Sequence, residues 1–360
     1  MAEQLRVGIV GGLGVMASPM AKHWSTGQAD EPKVVRVHDR GNAGEARDRA
    51  RAAWRQHGAE AVSTLGALVG DGDLDGVIVC AGKNGDDVPI ISELTRHLSK
   101  YPGKFICHMS TVSTGFADAA TAFANQSGVT YVNYPLTGGA LGAQNGTMLI
   151  LAGGDKNLFE RLSPALSRLG KPRYFGARPS SGAEVKFIGH LMVFNGFMGI
   201  GSGVAIHSAG FQNGKFGGPE QEAFFDFLNT GAGGTRQWDV MLRYAVKDNQ
   251  FKSGFSLRYA AVDAIYTAHL CRERKVSLLC TESALNAALV FSYGLSHLEE
   301  GLATQAGARE LLADRSKALD TFVIKHSAPR GDLAHAIQKA IDSLPEDVRS
   351  SVLLNPIFAP

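Results

Sequence analysis

Cysteine, charge of one sign and long apolar runs are all scarce in this chain of 360 residues. Its four cysteines, at 80, 107, 271 and 280, are too few for a disulfide framework at this length. None forms the CxxC spacing of a structural zinc site, so no metal is expected and a cytoplasmic compartment fits best. Lys plus Arg is 36 and Asp plus Glu is 34, a formal charge of +2. That balance argues against a nucleic-acid surface, which needs a basic excess or stripe. The N-terminus has no basic-then-apolar signal pattern and enters a strand-like run by residue 5. The longest apolar stretch, Leu191 to Ile206, is interrupted by Asn195, Ser202 and four glycines. It reads as a buried helix rather than a membrane span.

Glycine, by contrast, is abundant: 43 residues, well above the usual ~7%. No Gly-X-Y period accompanies it, so the excess points to tight turns and close backbone approaches. The length suggests roughly two domains.

The first half alternates β-rich runs with helical stretches. Strands are predicted at 6–10, 34–38, 76–80, 104–109, 130–133, 147–152 and 173–175. Helices are predicted at 43–57, 87–100 and 114–126. Strands alternating with helices predict an α/β fold with a parallel, doubly wound sheet. After about residue 179 the strand signal stops, and helices are predicted at 182–210, 219–229, 256–274, 280–300 and 305–324. The expected domains are therefore 1–179, 180–325 and a helical extension over 326–360. Ser180 and Ser181 are placed to cap the first helix of the second domain. In the tail, Leu333, Ile337, Ile341 and Leu344 recur at one-turn spacing before Pro345.

The motif that carries chemistry is Gly12-Leu13-Gly14-Val15-Met16-Ala17, directly after the first strand. Its GxGxxA form suits a dinucleotide pyrophosphate. Gly12 permits the turn, Gly14 lets phosphate approach the backbone, and Ala17 keeps the following helix close to the sheet. The N–H groups opening that helix, with its dipole, would face the phosphates. The second strand leads into Asp39, whose carboxylate can accept from an adenosine ribose 2′-hydroxyl and so favours NAD. Its neighbour Arg40 can bind a 2′-phosphate, so NADP is not excluded. Ala81, at the end of the third predicted strand, should border the cofactor.

At these residues the sequence resembles the β-hydroxyacid dehydrogenase family, which includes 3-hydroxyisobutyrate dehydrogenase and 6-phosphogluconate dehydrogenase. Residues 12–22 match the family's opening GLGxMGxxMAxN. Met109-Ser-Thr-Val-Ser113 matches its STxSP segment. Tyr134-Pro-Leu-Thr-Gly-Gly139, with 142–146 and 153–155, matches its substrate segment. Gly182-Ala-Glu-Val-Lys186 matches its GxxxK helix.

The resemblance implies a Rossmann-type domain followed by an all-α domain, with a site in the cleft between them. It implies NAD(P)-dependent interconversion of a small β-hydroxy acid and its semialdehyde or keto acid. Lys186 is then the general acid/base. Ser110, Thr137, Gly138 and Gly139 form the substrate carboxylate cradle. His190 stands one turn after Lys186, where the family usually has Asn, and can still donate to the substrate oxygen or titrate. Val262 replaces a family lysine, while Asp263 is retained; Arg258 is a candidate for the missing charge. Tyr134 is larger than the family's residue there. Partners implied are a small-molecule hydroxy acid, no nucleic acid, no membrane, and further copies of the chain in a homodimer or homotetramer. Two other readings stay open: imine reduction on the same architecture, whose members generally replace the lysine, and a dinucleotide-binding protein without turnover.

Overall fold

The computed structural model describes residues 4–41, 44–82, 87–209, 219–239, 257–276, 278–297, 339 and 341–344. The chain divides into two compact units between Lys186 and Phe187.

The first unit is built on a six-stranded sheet: β1 (Arg6–Val10), β2 (Lys33–His38), β3 (Glu60–Val62), β4 (Gly76–Val79), β5 (Phe105–His108) and β6 (Thr130–Asn133). All pairings are parallel and the order is β3-β2-β1-β4-β5-β6. Strand order reverses between β1 and β4, the switch point where ligands bind in such sheets. Parallel strands need crossovers, and helices α1 (Met20–His23), α2 (Glu45–Gln56), α3 (Leu65–Val69), α4 (Asp87–Leu98) and α5 (Thr114–Gln126) lie in the connections.

The strands read as nearly continuous apolar runs because both faces are covered. Alternate residues then serve different cores. Val7, Ile9, Ile78, Phe105, Cys107 and Val132 enter one cluster. Val10, Val77, Val79, Ile106 and Tyr131 enter the other. Side-chain caps start several helices: Ser113 accepts from Phe116 N–H at 3.1 Å and Asp155 from Leu158 N–H at 2.7 Å.

The runs predicted at 147–152 and 173–175 do not join this sheet. They form β8 (Met148–Ala152) and β9 (Gly170–Tyr174) of a separate three-stranded sheet with β7 (Leu136–Thr137). β7 is antiparallel to β8 and β8 parallel to β9. The short β3 and β7 escaped the sequence reading, since two or three residues show no periodicity. So did α3, α6 (Gly139–Asn145) and α7 (Lys156–Ser167).

The second unit, among its described residues, is helical. Helix α8 (Ser181–Ala209) runs across the division, followed by α9 (Pro219–Asn229), α10 (Leu257–Glu273) and α11 (Leu278–His297). Phe187, Phe194, Phe291, Ala261 and Ile265 are buried here. Helix α8 is not buried all round: Ile188 and Met192 are 54% and 73% exposed. Ser180 does not act as a side-chain cap. Its hydroxyl donates to Asp118 Oδ2 at 3.1 Å, tying the start of α8 to α5. The predicted helix at 305–324 and most of the tail lie outside the described residues. Ile341 and Leu344 are described and buried. No helix among the described residues is long and apolar enough to cross a membrane.

Candidate active site

The glycine turn leaves the end of β1 at the switch point. Gly11 N–H donates to His38 O at 2.8 Å, and Gly14 N–H to Gly11 O at 2.9 Å. Gly11 has φ +79°, and a Cβ there would lie 2.5 Å from Cys80 O. Only glycine fits a left-handed residue so close to the neighbouring strand. From α2, the buried Trp54 donates its indole N–H to Gly12 O at 2.8 Å. Sequence reasoning missed this brace, because 42 residues separate the two. Leu13 and Met16 are half-buried and Val15 is 65% exposed, lying along the open side of the turn.

No long helix opens at Gly14; residues 11–19 form turns, and α1 covers only Met20–His23. Pro19 has no N–H to continue a ladder, and two glycines are poor helix formers. The groups that remain to meet an anion are therefore turn peptides, not the N-terminus of a long helix as expected.

Asp39 and Arg40 follow β2. Gly41 N–H donates to Asp39 Oδ1 at 2.6 Å, and Arg47 of α2 ion-pairs with the same oxygen. No described residue donates to Oδ2. Arg40 is exposed. The turn peptides and the second carboxylate oxygen of Asp39 fit the pyrophosphate and ribose of a dinucleotide in chemical type.

Ala81 follows β4 and Ser110 follows β5, and they are joined: Ser110 Oγ donates to Ala81 O at 3.1 Å. Asn133 at the end of β6 fixes this corner, donating to His108 O at 2.9 Å and Ser110 O at 3.0 Å. Its role was not expected, since an Asn closing a strand has no local signature. Burial pushes the Cys80 thiol next to Ala81 up to about 12. Lys83 lies outside the described residues.

Thr137 ends β7. Gly138 and Gly139 follow with φ +123° and +62°, turning the chain into α6. Lys186 comes to this turn: it is 7% exposed, and its Nζ donates to Leu136 O, one residue before Thr137. The reason lies one turn earlier on the same helix face. A Cβ at Gly182 would lie 2.1 Å from Leu151 O and 3.2 Å from Asn133 O. The bare glycine lets α8 start against the strands, and that brings the lysine within reach of β7. Tyr134 is fully buried and packs edge-on against Phe159 at 6.2 Å.

In the second unit, His190 Nδ1 lies 2.9 Å from Asp263 Oδ2 of α10, with Asp263 fully buried. The sequence marked both residues but not their pairing. Val262 is buried, and Trp238 is core, donating to Asp226 Oδ1 at 2.7 Å.

Comparison with known proteins shows which family the chain is similar to. Residues 6–188 match the model of the NAD binding domain of 6-phosphogluconate dehydrogenase. The 2-(hydroxymethyl)glutarate dehydrogenase of Eubacterium barkeri is 25% identical over 182 residues, 51% of this chain and 58% of that protein. A probable 3-hydroxyisobutyrate dehydrogenase-like protein of Arabidopsis thaliana is 27% identical over 205 residues, 57% of this chain and 58% of that one. The match therefore spans somewhat under two thirds of these relatives. In fold, the Mycobacterium tuberculosis 3-hydroxyisobutyrate dehydrogenase solved with L-serine covers 86% of this chain with 99% of its own, at TM-score 0.66 and 19% identity. With a nicotinamide-dinucleotide domain matched over half its length, the chain belongs to the β-hydroxyacid dehydrogenase family.

Proposed function

We propose that this protein is an NAD(P)-dependent dehydrogenase that interconverts a small β-hydroxy acid and its semialdehyde or keto acid. The observation that carries the reading is the Lys186 amine, buried and held on the carbonyl beside the Thr137-Gly138-Gly139 turn. An amine there can take the proton of a substrate hydroxyl in oxidation and return it to a carbonyl oxygen in reduction. Ser110, Thr137 and the peptides of Gly138 and Gly139 supply donors for the substrate carboxylate. His190, one turn beyond Lys186, is assigned to the substrate oxygen.

Gly12, Leu13, Gly14, Val15 and Met16 would hold the pyrophosphate, Asp39 the adenosine ribose, and Ala81 the nicotinamide end. The bound cofactor supplies or accepts the hydride at the hydroxyl-bearing carbon. A carboxylate at 39 repels a 2′-phosphate, which favours NAD; Arg40 keeps NADP within reach. The division of labour is a cofactor-binding domain over residues 1–179, which also brings the carboxylate cradle, a helical domain over 180–325 for substrate and self-association, and an extension over 326–360. Exposed Ile188 and Met192 on α8 support a homodimer or homotetramer, and the free thiols of Cys80 and Cys107 support a cytoplasmic setting.

The test is nicotinamide reduction across 3-hydroxyisobutyrate, glycerate, serine and 3-hydroxypropionate. Turnover of at least one alcohol is expected. Reduction of a cyclic imine alone, or cofactor binding with no turnover, would overturn the reading.

A further inference from the structure

The Asp39 corner contains more than a ribose-binding carboxylate. Asp39 Oδ1 receives both the Gly41 N–H and the Arg47 guanidinium, while the side chain as a whole is only 9% exposed. Arg47 reaches it by crossing the bare Cα of Gly41. A Cβ at Gly41 would lie 1.3 Å from Arg47 Nη1 and 1.8 Å from Cζ. Gly41 does not have a left-handed φ, so its lack of a side chain matters here for the space it leaves. Three residues thus form a lock in which the acid is aimed by the cation and the cation is neutralised by the acid.

We propose that Arg47 is the positioning residue that sets cofactor choice, resting on the reading of Asp39 as the ribose-binding group. With the lock closed, Oδ1 is committed and Oδ2 is left to accept from a ribose hydroxyl. The Arg47 charge is spent on Asp39, so a 2′-phosphate meets a carboxylate whose partner guanidinium is already paired. Opening the lock from its two sides has opposite consequences. Removing Arg47 loosens the carboxylate and weakens NADH. Removing the Asp39 charge releases Arg47, beside Arg40, for a phosphate and strengthens NADPH.

The experiment measures equilibrium dissociation constants of NADH and NADPH by titration calorimetry, without substrate, with circular dichroism to verify folding. Arg47→Ala should weaken NADH by roughly tenfold, the scale of one charge-assisted hydrogen bond. Gly41→Ala should weaken NADH in the same direction but by less, because its methyl occupies the path of a guanidinium that can shift. Arg47→Lys should recover part of the loss. Asp39→Asn should strengthen NADPH by roughly tenfold, and Asp39→Asn combined with Arg47→Ala should abolish that gain. A wild-type protein that binds NADPH more tightly than NADH would sink the NAD reading itself. A wild-type preference for NADH, with Arg47→Ala and Gly41→Ala leaving both constants unchanged, would overturn the role of Arg47 alone.

Discussion

His190 on α8 and Asp263 on α10 face each other with 2.9 Å between Nδ1 and Oδ2, 73 positions apart in the chain (263 minus 190). Asp263 is fully buried and His190 nearly so. A buried carboxylate that loses a facing polar partner loses part of the compensation for its desolvation. His190→Ala should therefore lower the unfolding free energy by about 3 kcal/mol, measured by urea denaturation. His190→Asn, which restores the residue usual in the family, should cost less than half as much. Equal losses for Asn and Ala would show that the contact with Asp263 contributes nothing to stability.

Lys186→Ala removes the only group assigned to proton transfer. kcat should fall by roughly 10²- to 10⁴-fold, with the dissociation constant for NADH unchanged. Near-normal turnover would reject the assignment. Weakened NADH binding at unchanged kcat would place Lys186 with the cofactor.

Gly182→Ala tests how the lysine is placed. The added methyl would sit 2.1 Å from Leu151 O, a backbone atom that cannot move aside cheaply. The helix start must shift, at about 1–3 kcal/mol for overpacking. Because Lys186 lies on the same face one turn on, kcat should fall more steeply than stability. An unchanged melting temperature would mean that the helix does not need this close approach.

The loop after α1 carries a pH-dependent contribution to stability. Burial alone would raise the Glu31 pKa, but the carboxylate accepts from Thr26 N–H at 2.9 Å, Gly27 N–H at 3.0 Å and the Thr26 hydroxyl. These bonds prevail and hold it below the usual carboxylate value. A depressed folded-state pKa means stabilisation that is full above the ordinary carboxylate range. It is lost as pH falls through the folded value. The stability gap between wild type and Glu31→Gln should thus be largest near neutrality and shrink from about pH 5 downward. A gap that widens in acid would reverse the assignment.

Much of this was legible in the residues themselves. Strands β1, β2, β4, β5 and β6 announce themselves as largely apolar runs bounded by turn residues, because a strand covered on both faces is mostly apolar. The Gly12–Ala17 turn and Gly182–Lys186 are local motifs: their function depends on backbone conformation and on one-turn spacing within a few residues. What the sequence could not reveal is which distant groups these motifs meet. Asp39 was visible, but the route of Arg47 over Gly41 was not. Nor were Trp54 on Gly12 O, Asn133 behind Ser110, or Asp263 against His190. The same holds for β8, whose apolar pattern suits either sheet, and for β9, whose Gly170-Lys-Pro-Arg-Tyr174 stretch has no apolar pattern to place it. Local propensity and periodicity are properties of neighbouring residues, whereas these contacts exist only after helices and strands have packed. Their partners are chosen by distance and burial in three dimensions, which chain order does not encode one residue at a time.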